Sequence, residues 1–270
     1  MTRIRRFKVD SLAGAAPGER LALPPDEAKH ARVLRLKPGA ALELFDGLGH
    51  AWRATLSRDR TGALLVEQTA AALRGSGDRI NGVSVPAGRL VVATAWPKGK
   101  RAAFLVEKCT ELGVARIVPL RCARSVVLKD PEAEGVARLR RIAAEAAKQA
   151  GRSDVPEIAP ERSFADFVSE AAGRSCVILL DPRAERRLSE VLAEERARWQ
   201  AGAPATTSSA GPCVVLVGPE GGFTTEELQH ADRCGVRRAR LAPHVLRVET
   251  AALSACAVWA DGREKAGPAG

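Results

Sequence analysis

Val217-Gly218-Pro219-Glu220-Gly221-Gly222-Phe223-Thr224-Thr225-Glu226-Glu227 decides how this chain is read. It continues Val214-Val215-Leu216-Val217, a short apolar run of the kind that forms a strand buried on both faces. Thr224, with Glu227 three residues on, fits a capping box that opens a helix. The stretch is therefore strand, glycine turn, helix. Glycines let backbone approach a ligand closely. Free N–H groups at a helix start suit a polar or anionic group. A side chain at Gly218 is expected to fill the space where backbone meets ligand. No GxGxxG occurs, so a nicotinamide or flavin site has no support.

Working outward, the same grammar repeats. Leu90–Thr94, Arg116–Leu120, Cys176–Leu180 and Arg238–Leu241 read as further strands. Helical runs lie between them at Arg101–Leu112, where Leu105, Cys109 and Leu112 share a face, and at Glu132–Ala150. Continuous apolar strands alternating with helices imply an α/β fold, with a mostly parallel sheet covered on both faces. Residues 201–212 are low-complexity and read as a surface insertion.

The first part differs. Ala41–Phe45, Trp52–Leu56 and Leu64–Glu67 alternate as short strands, with a turn at Asp46–Gly49. A helix is expected over Asp26–Leu36, with Asp26 as N-cap and Pro38-Gly39 as the stop. Residues 74–88 are rich in Gly, Ser and Pro. The expected division is a β-rich domain at 1–73, a linker at 74–88 and the α/β domain at 89–270.

Composition narrows the class. The 270 residues carry a net charge of +10 and a pI near 9.8. A basic chain favours a polyanionic partner through phosphate neutralisation. Aromatics are 4% and Tyr is absent, so phosphate and RNA-shape contacts are expected over base stacking. The cysteines at 109, 122, 176, 213, 234 and 256 make no CxxC, and the four histidines are scattered. No metal or disulfide framework is expected. No apolar run reaches the length of a membrane helix, and no signal core follows the basic first residues. The expected setting is cytoplasmic, with no membrane.

The second informative segment is Leu241-Ala242-Pro243-His244-Val245-Leu246-Arg247-Val248-Glu249-Thr250-Ala251-Ala252. It enters a helix of nearly all apolar residues, Ala251–Ala260. A helix apolar all round is buried all round, which points to a partner subunit.

Together these segments resemble the SPOUT class of methyltransferases, whose C-terminal chain is tied in a trefoil knot. Within it the chain resembles the RsmE family, which methylates N3 of a uridine in small-subunit ribosomal RNA. The likeness includes His30-Ala31-Arg32-Val33-Leu34-Arg35, Leu44-Phe45-Asp46-Gly47, Lys108-Cys109-Thr110-Glu111-Leu112-Gly113-Val114 and Glu145-Ala146-Ala147-Lys148-Gln149-Ala150-Gly151-Arg152. It closes with Gly218–Gly222 and Leu246–Ala252.

The resemblance implies a SPOUT-type parallel sheet with a C-terminal knot, preceded by a small PUA-like RNA-binding barrel. It implies S-adenosyl-L-methionine held by three crossing loops, Leu180–Arg183, Val217–Glu220 and Leu241–Arg247. The expected cofactor contacts are Leu180, Leu216, Val217, Gly218, Gly222, Leu241, Val245, Leu246 and Arg247. Uridine N3 holds a proton at neutral pH, so the chemistry needs an acceptor or an anion stabiliser. Arg247 is the expected stabiliser, and Glu249 or Glu220 the expected base. Arg5, Arg6, Arg32, Arg35, Gln149 and Arg152 are the expected RNA contacts. The expected partners are 16S rRNA of the small ribosomal subunit and a second copy of the chain. Two other readings keep part of this. One is a SPOUT enzyme acting on a ribose 2′-hydroxyl or on tRNA. The other is a non-catalytic RNA-binding assembly factor.

Overall fold

Alternation organises the first part of the chain in the computed structural model, which describes residues 4–70, 78–80, 83–85, 89–125, 133–200 and 212–262. Strand β1 (Arg5–Lys8) runs parallel to β3 (Ala41–Phe45). β3 pairs antiparallel with β4 (Ala51–Leu56), β4 with β5 (Gly62–Ala70), and β5 with β2 (Arg20–Ala22). The inward residues Phe7, Leu42, Leu44, Trp52, Ala54 and Leu65 form one core. Helix α1 (Pro25–Val33) adds Ala28 and Ala31 to it.

The start of α1 differs from the expectation. Pro24 is the N-cap and Pro25 the first helical residue, while Asp26 sits in the first turn. Proline suits that place because its missing N–H would have no helical partner there. The helix also ends early, at Val33, and Arg35 is left-handed at φ +53°.

The stretch expected as a linker carries a two-stranded antiparallel ribbon, β6 (Asp78–Ile80) with β7 (Val83–Val85). Beyond it come β8 (Leu90–Ala95), α2 (Lys100–Glu111), β9 (Arg116–Arg121), α3 (Ala133–Ala150), β10 (Glu157–Ile158), β11 (Arg162–Ser163) and α4 (Phe164–Ala172). The chain continues through β12 (Cys176–Leu180), α5 (Leu188–Gln200), β13 (Cys213–Val217), α6 (Thr225–Arg233), β14 (Arg237–Ala239) and α7 (Val248–Asp261). The insertion expected at 201–212 lies, apart from Pro212, outside the described residues.

The sheet order is β10-β9-β8-β13-β12-β14, with β11 also on β9, and every pairing is parallel. β8 and β13 are buried at every position, as strands covered on both faces must be. Val91, Ala93, Val214 and Leu216 pack with Phe167 of α4 and Leu228 of α6. α7 packs on α2, α5, β8 and β13.

Two compact units result. One is Met1–Leu73 with Ala143–Val155, the other Arg74–Ile142 with Pro156–Gly270. The far end of α3 thus belongs to the N-terminal unit. Lys148 reaches both carboxylate oxygens of Glu27 at 2.8 Å, and Val155 N donates to the Gly47 carbonyl at 2.9 Å. Among the described residues no helix is long and apolar enough to cross a membrane.

Candidate active site

Parallel α/β sheets leave their crevices at the carboxyl ends of strands, where connections diverge. β12, β13 and β14 end together here, and the loops that leave them line a cavity of about 440 Å³. Each loop has its own local cause.

The first follows Leu180. Asp181 N donates to the Ala239 carbonyl at 3.0 Å, tying the loop to the edge strand β14. The Asp181 carboxylate is buried at 5% exposure and accepts from Arg183 N at 3.0 Å and Nε at 3.3 Å. Arg238 adds an ion pair at 3.6 Å.

The second is the glycine turn. Gly222 N donates to the Pro219 carbonyl at 2.8 Å, and Gly222 is left-handed at φ +69°, a conformation that favours glycine. The capping box is present. Glu227 N donates to Thr224 Oγ1 at 3.2 Å, and Thr224 N donates to Glu227 Oε2 at 2.8 Å. The other oxygen of Glu227 accepts from Ala123 N at 2.8 Å, and Arg124 donates to the Gly221 carbonyl at 2.7 Å. These bonds staple the turn to the loop after β9.

The third is Leu241–Arg247. Among the described residues, no backbone group from Leu241 to Leu246 bonds another backbone group. Main-chain groups of this segment are thus not spent on backbone pairing. Arg247 is the N-cap of α7 and makes no side-chain cap bond.

Leu180, Val217, Gly218, Gly222, Leu241, Val245 and Leu246 all line the cavity. Leu216 does not; it is fully buried in the sheet core behind it. Strand alternation turns its side chain away while Val217 faces the other side. Arg247 is exposed and is not among the lining residues.

Glu220 lines the cavity and is exposed, whereas Glu249 is 7% exposed and does not line it. Arg101, at the start of α2, lies 3.5 Å from Glu220 and 4.0 Å from Glu249. No directed hydrogen bond reaches the buried Glu249 Oε2 among the described residues.

Sequence reasoning named the loops but missed several wall residues. Phe223 and His244 stood in the quoted segments, and Asp181 in the first loop. Arg124 and Leu228 come from elsewhere and carried no local signal.

The six RNA-contact candidates lie in the N-terminal unit. Arg5, Arg32, Arg35 and Gln149 are exposed. Arg6 and Arg152 are engaged internally, Arg6 with Glu43 at 2.7 Å and Arg152 with Asp154 at 2.7 Å.

No cysteine is among the residues that line the cavity, and the buried thiols of Cys122 and Cys256 are disfavoured as nucleophiles. Burial pushes the Cys122 thiol up to about 12, with Glu227 adding to it. The hydrogen bond to Cys109 and burial push Cys256 up as well. Neither offers a thiolate at neutral pH. Among the described residues no group of three or more His, Cys, Asp or Glu side chains is placed to hold a metal ion.

Comparison with known proteins bears directly on this site. A family model described as an RNA methyltransferase domain matches residues 84–260, and one described as an RNA methyltransferase PUA domain matches 23–68. The chain is 31% identical over 255 residues to ribosomal RNA small subunit methyltransferase E of Mycobacterium bovis, covering 91% of this chain and 87% of that one. It is 32% identical to the protein of the same name from Synechocystis sp., covering 82% of this chain and 65% of that relative's length. The crystal structure of ribosomal RNA small subunit methyltransferase E from Neisseria gonorrhoeae, bound to S-adenosyl methionine, superposes with a TM-score of 0.74 at 26% identity, over 94% of this chain and 96% of that one. The parallel sheet and the PUA-like β-rich unit are those the resemblance implied. With both family models matched and the loops converging on one cavity, the chain belongs to the RNA methyltransferase family that includes the ribosomal RNA small subunit methyltransferases E.

Proposed function

We propose that this protein transfers the methyl group of S-adenosyl-L-methionine to N3 of a uridine in 16S rRNA of the small ribosomal subunit, in the cytoplasm. One observation carries the reading. The three loops expected to hold the cofactor converge on one cavity of about 440 Å³, and among the described residues the third makes no backbone pairing from Leu241 to Leu246. The fit is chemical as well as spatial. Leu180, Val217, Leu246 and Ala251 give apolar walls, and the main chain of Leu241–Leu246 gives donors and acceptors for a purine edge.

Bound there, S-adenosylmethionine supplies a methyl group already activated by its sulfonium, so no metal is required. The chain's own task is orientation and control of one proton. Glu220, on the cavity wall, is the proposed acceptor of the N3 proton. Glu249, buried at the entrance of α7, lies 4.0 Å from Arg101, which stands 3.5 Å from Glu220. Arg247 is the proposed donor to the uracil oxygens, on which negative charge develops as N3 is deprotonated. Its exposure suits a group that meets RNA.

The proposed assembly is a homodimer, with the C-terminal segment threaded as a knot. Support for the first is the uncovered side of α7. Ala257 is exposed and Leu253 and Val258 are only partly covered, although the helix is apolar.

Thermal unfolding with and without S-adenosylmethionine tests the cofactor reading. A ligand at about 100 times its Kd stabilises by about 2.7 kcal/mol. A clear rise in Tm with S-adenosylmethionine or its demethylated product is expected, and no change with ATP. No response to either sulfur compound overturns the reading.

A further inference from the structure

The N-terminal unit contains a second concavity, about 200 Å³, outside the cavity described above. It lies among β1, α1 and the far end of α3. Ile4 and Leu34 form its apolar walls, and Arg5, Arg6, His30, Lys148 and Gln149 contribute polar groups beside one carboxylate, Glu145.

Those walls are held firmly. Lys148 is fixed by Glu27 and lies 5.3 Å from the Phe7 ring centre, against which His30 packs edge-on at 5.9 Å. The Arg6 side chain is 10% exposed, and its guanidinium stacks over Phe45 at 4.8 Å. Its Nε donates to Glu43 at 2.7 Å and its Nη1 to the Arg152 carbonyl at 2.8 Å. Nη2 shares the same Glu43 oxygen as an ion pair but makes no directed hydrogen bond. Arg6 is thus spent on holding the wall, which carries the exposed guanidinium of Arg5, the exposed imidazole of His30, the Gln149 amide and the exposed Glu145 carboxylate.

We propose that this concavity holds one unpaired nucleotide of the RNA substrate, the base between Ile4 and Leu34 and the phosphate on Arg5. The inference rests on the RNA methyltransferase reading. A concavity of this size takes a single base and excludes a duplex, whose stacked pairs cannot enter. Unstacked bases are read through ring planes and their hydrogen-bonding edges. The His30 imidazole, the Gln149 amide and the Glu145 carboxylate offer both donors and acceptors to such an edge. Few aromatics are needed, because guanidinium and imidazole planes also stack on bases.

The test uses the full chain and a fluorescein-labelled single-stranded RNA decamer, with the same sequence as a duplex for comparison. His30→Ala and Leu34→Trp are made separately; the first removes an exposed side chain at the cost of one edge contact to Phe7. The single strand should bind about fivefold to tenfold more weakly to His30→Ala, as expected for one lost contact. Leu34→Trp should weaken it at least as much by filling the space. Duplex affinity and S-adenosylmethionine affinity should stay at wild-type values in both. Unchanged single-strand affinity in His30→Ala overturns the proposal even if Leu34→Trp fails to fold. Equal losses for single strand and duplex also overturn it, since they signal charge alone. Wild-type protein that binds S-adenosylmethionine and methylates RNA while both variants bind single strands normally refutes the nucleotide site and leaves the enzyme reading standing. Wild-type protein that binds neither RNA nor cofactor refutes both.

Discussion

Phe223 leaves no room for a side chain at Gly218. A Cβ built on Gly218 meets the Phe223 ring at 2.9 Å, a distance that real contacts do not show. The ring is held from the other side by Phe164, 5.0 Å away between centroids. A side chain at 218 would therefore push Phe223, itself a cavity wall residue. Gly218→Ala should therefore lower both stability and cofactor affinity. In a Phe223→Leu background the penalty should shrink, with a coupling of about 0.5–3 kcal/mol for residues in contact. Strictly additive losses, read by urea unfolding of the four proteins, would contradict this. Arg247 is separable from the fold. It is exposed and makes no cap bond, so Arg247→Ala should change stability by no more than about 0.5 kcal/mol. The proposed electrostatic role predicts a single-turnover rate about 10²–10³ lower at unchanged cofactor affinity. A near-normal rate at saturating cofactor and RNA would remove Arg247 from the chemistry.

At the scale of elements, the glycine turn depends on one carboxylate. Glu227 accepts from Thr224 N and Ala123 N, so it caps α6 and joins two loops at once. Glu227→Ala should cost about 1–2 kcal/mol in unfolding free energy and weaken cofactor binding. Glu227→Gln keeps one acceptor and should recover part of both. Loss of stability without loss of affinity would show that the staple does not shape the cavity. The capping box itself was legible in Thr224-Thr225-Glu226-Glu227, because its partners are three residues apart. The bond to Ala123 was not, because it spans over a hundred residues. Buried strands were read well where apolar runs were continuous, as at Val214–Val217. β1, β10 and β11 escaped notice: each is four residues or fewer and is defined by its neighbour rather than by its own pattern. Leu216 was expected as a cofactor contact on the resemblance alone, and the two-residue strand period puts its side chain in the core.

At the scale of the molecule, the far end of α3 is shared with the N-terminal unit through Lys148–Glu27 and the Arg6 bond to the Arg152 carbonyl. No pattern along the chain announces that pairing. Removing residues 1–88 would strip these partners from α3, so point substitutions are the cleaner probes. The proposed dimer is tested on α7. Ala257 is exposed in the single chain, so Ala257→Glu should leave the subunit folded yet shift the protein from dimer to monomer in light scattering at micromolar concentration. Wild-type protein that scatters as a monomer would contradict the assembly.

The central claim is the reaction itself. Small ribosomal subunits from a strain lacking the corresponding activity, incubated with this protein and methyl-labelled S-adenosylmethionine, give the most direct answer after nuclease digestion and mass mapping of the 16S rRNA. The account predicts label in a single uridine, as 3-methyluridine, and none when the cofactor is replaced by its demethylated product. Label in a ribose 2′-O-methyl group, or no label in 16S rRNA at all, would contradict it.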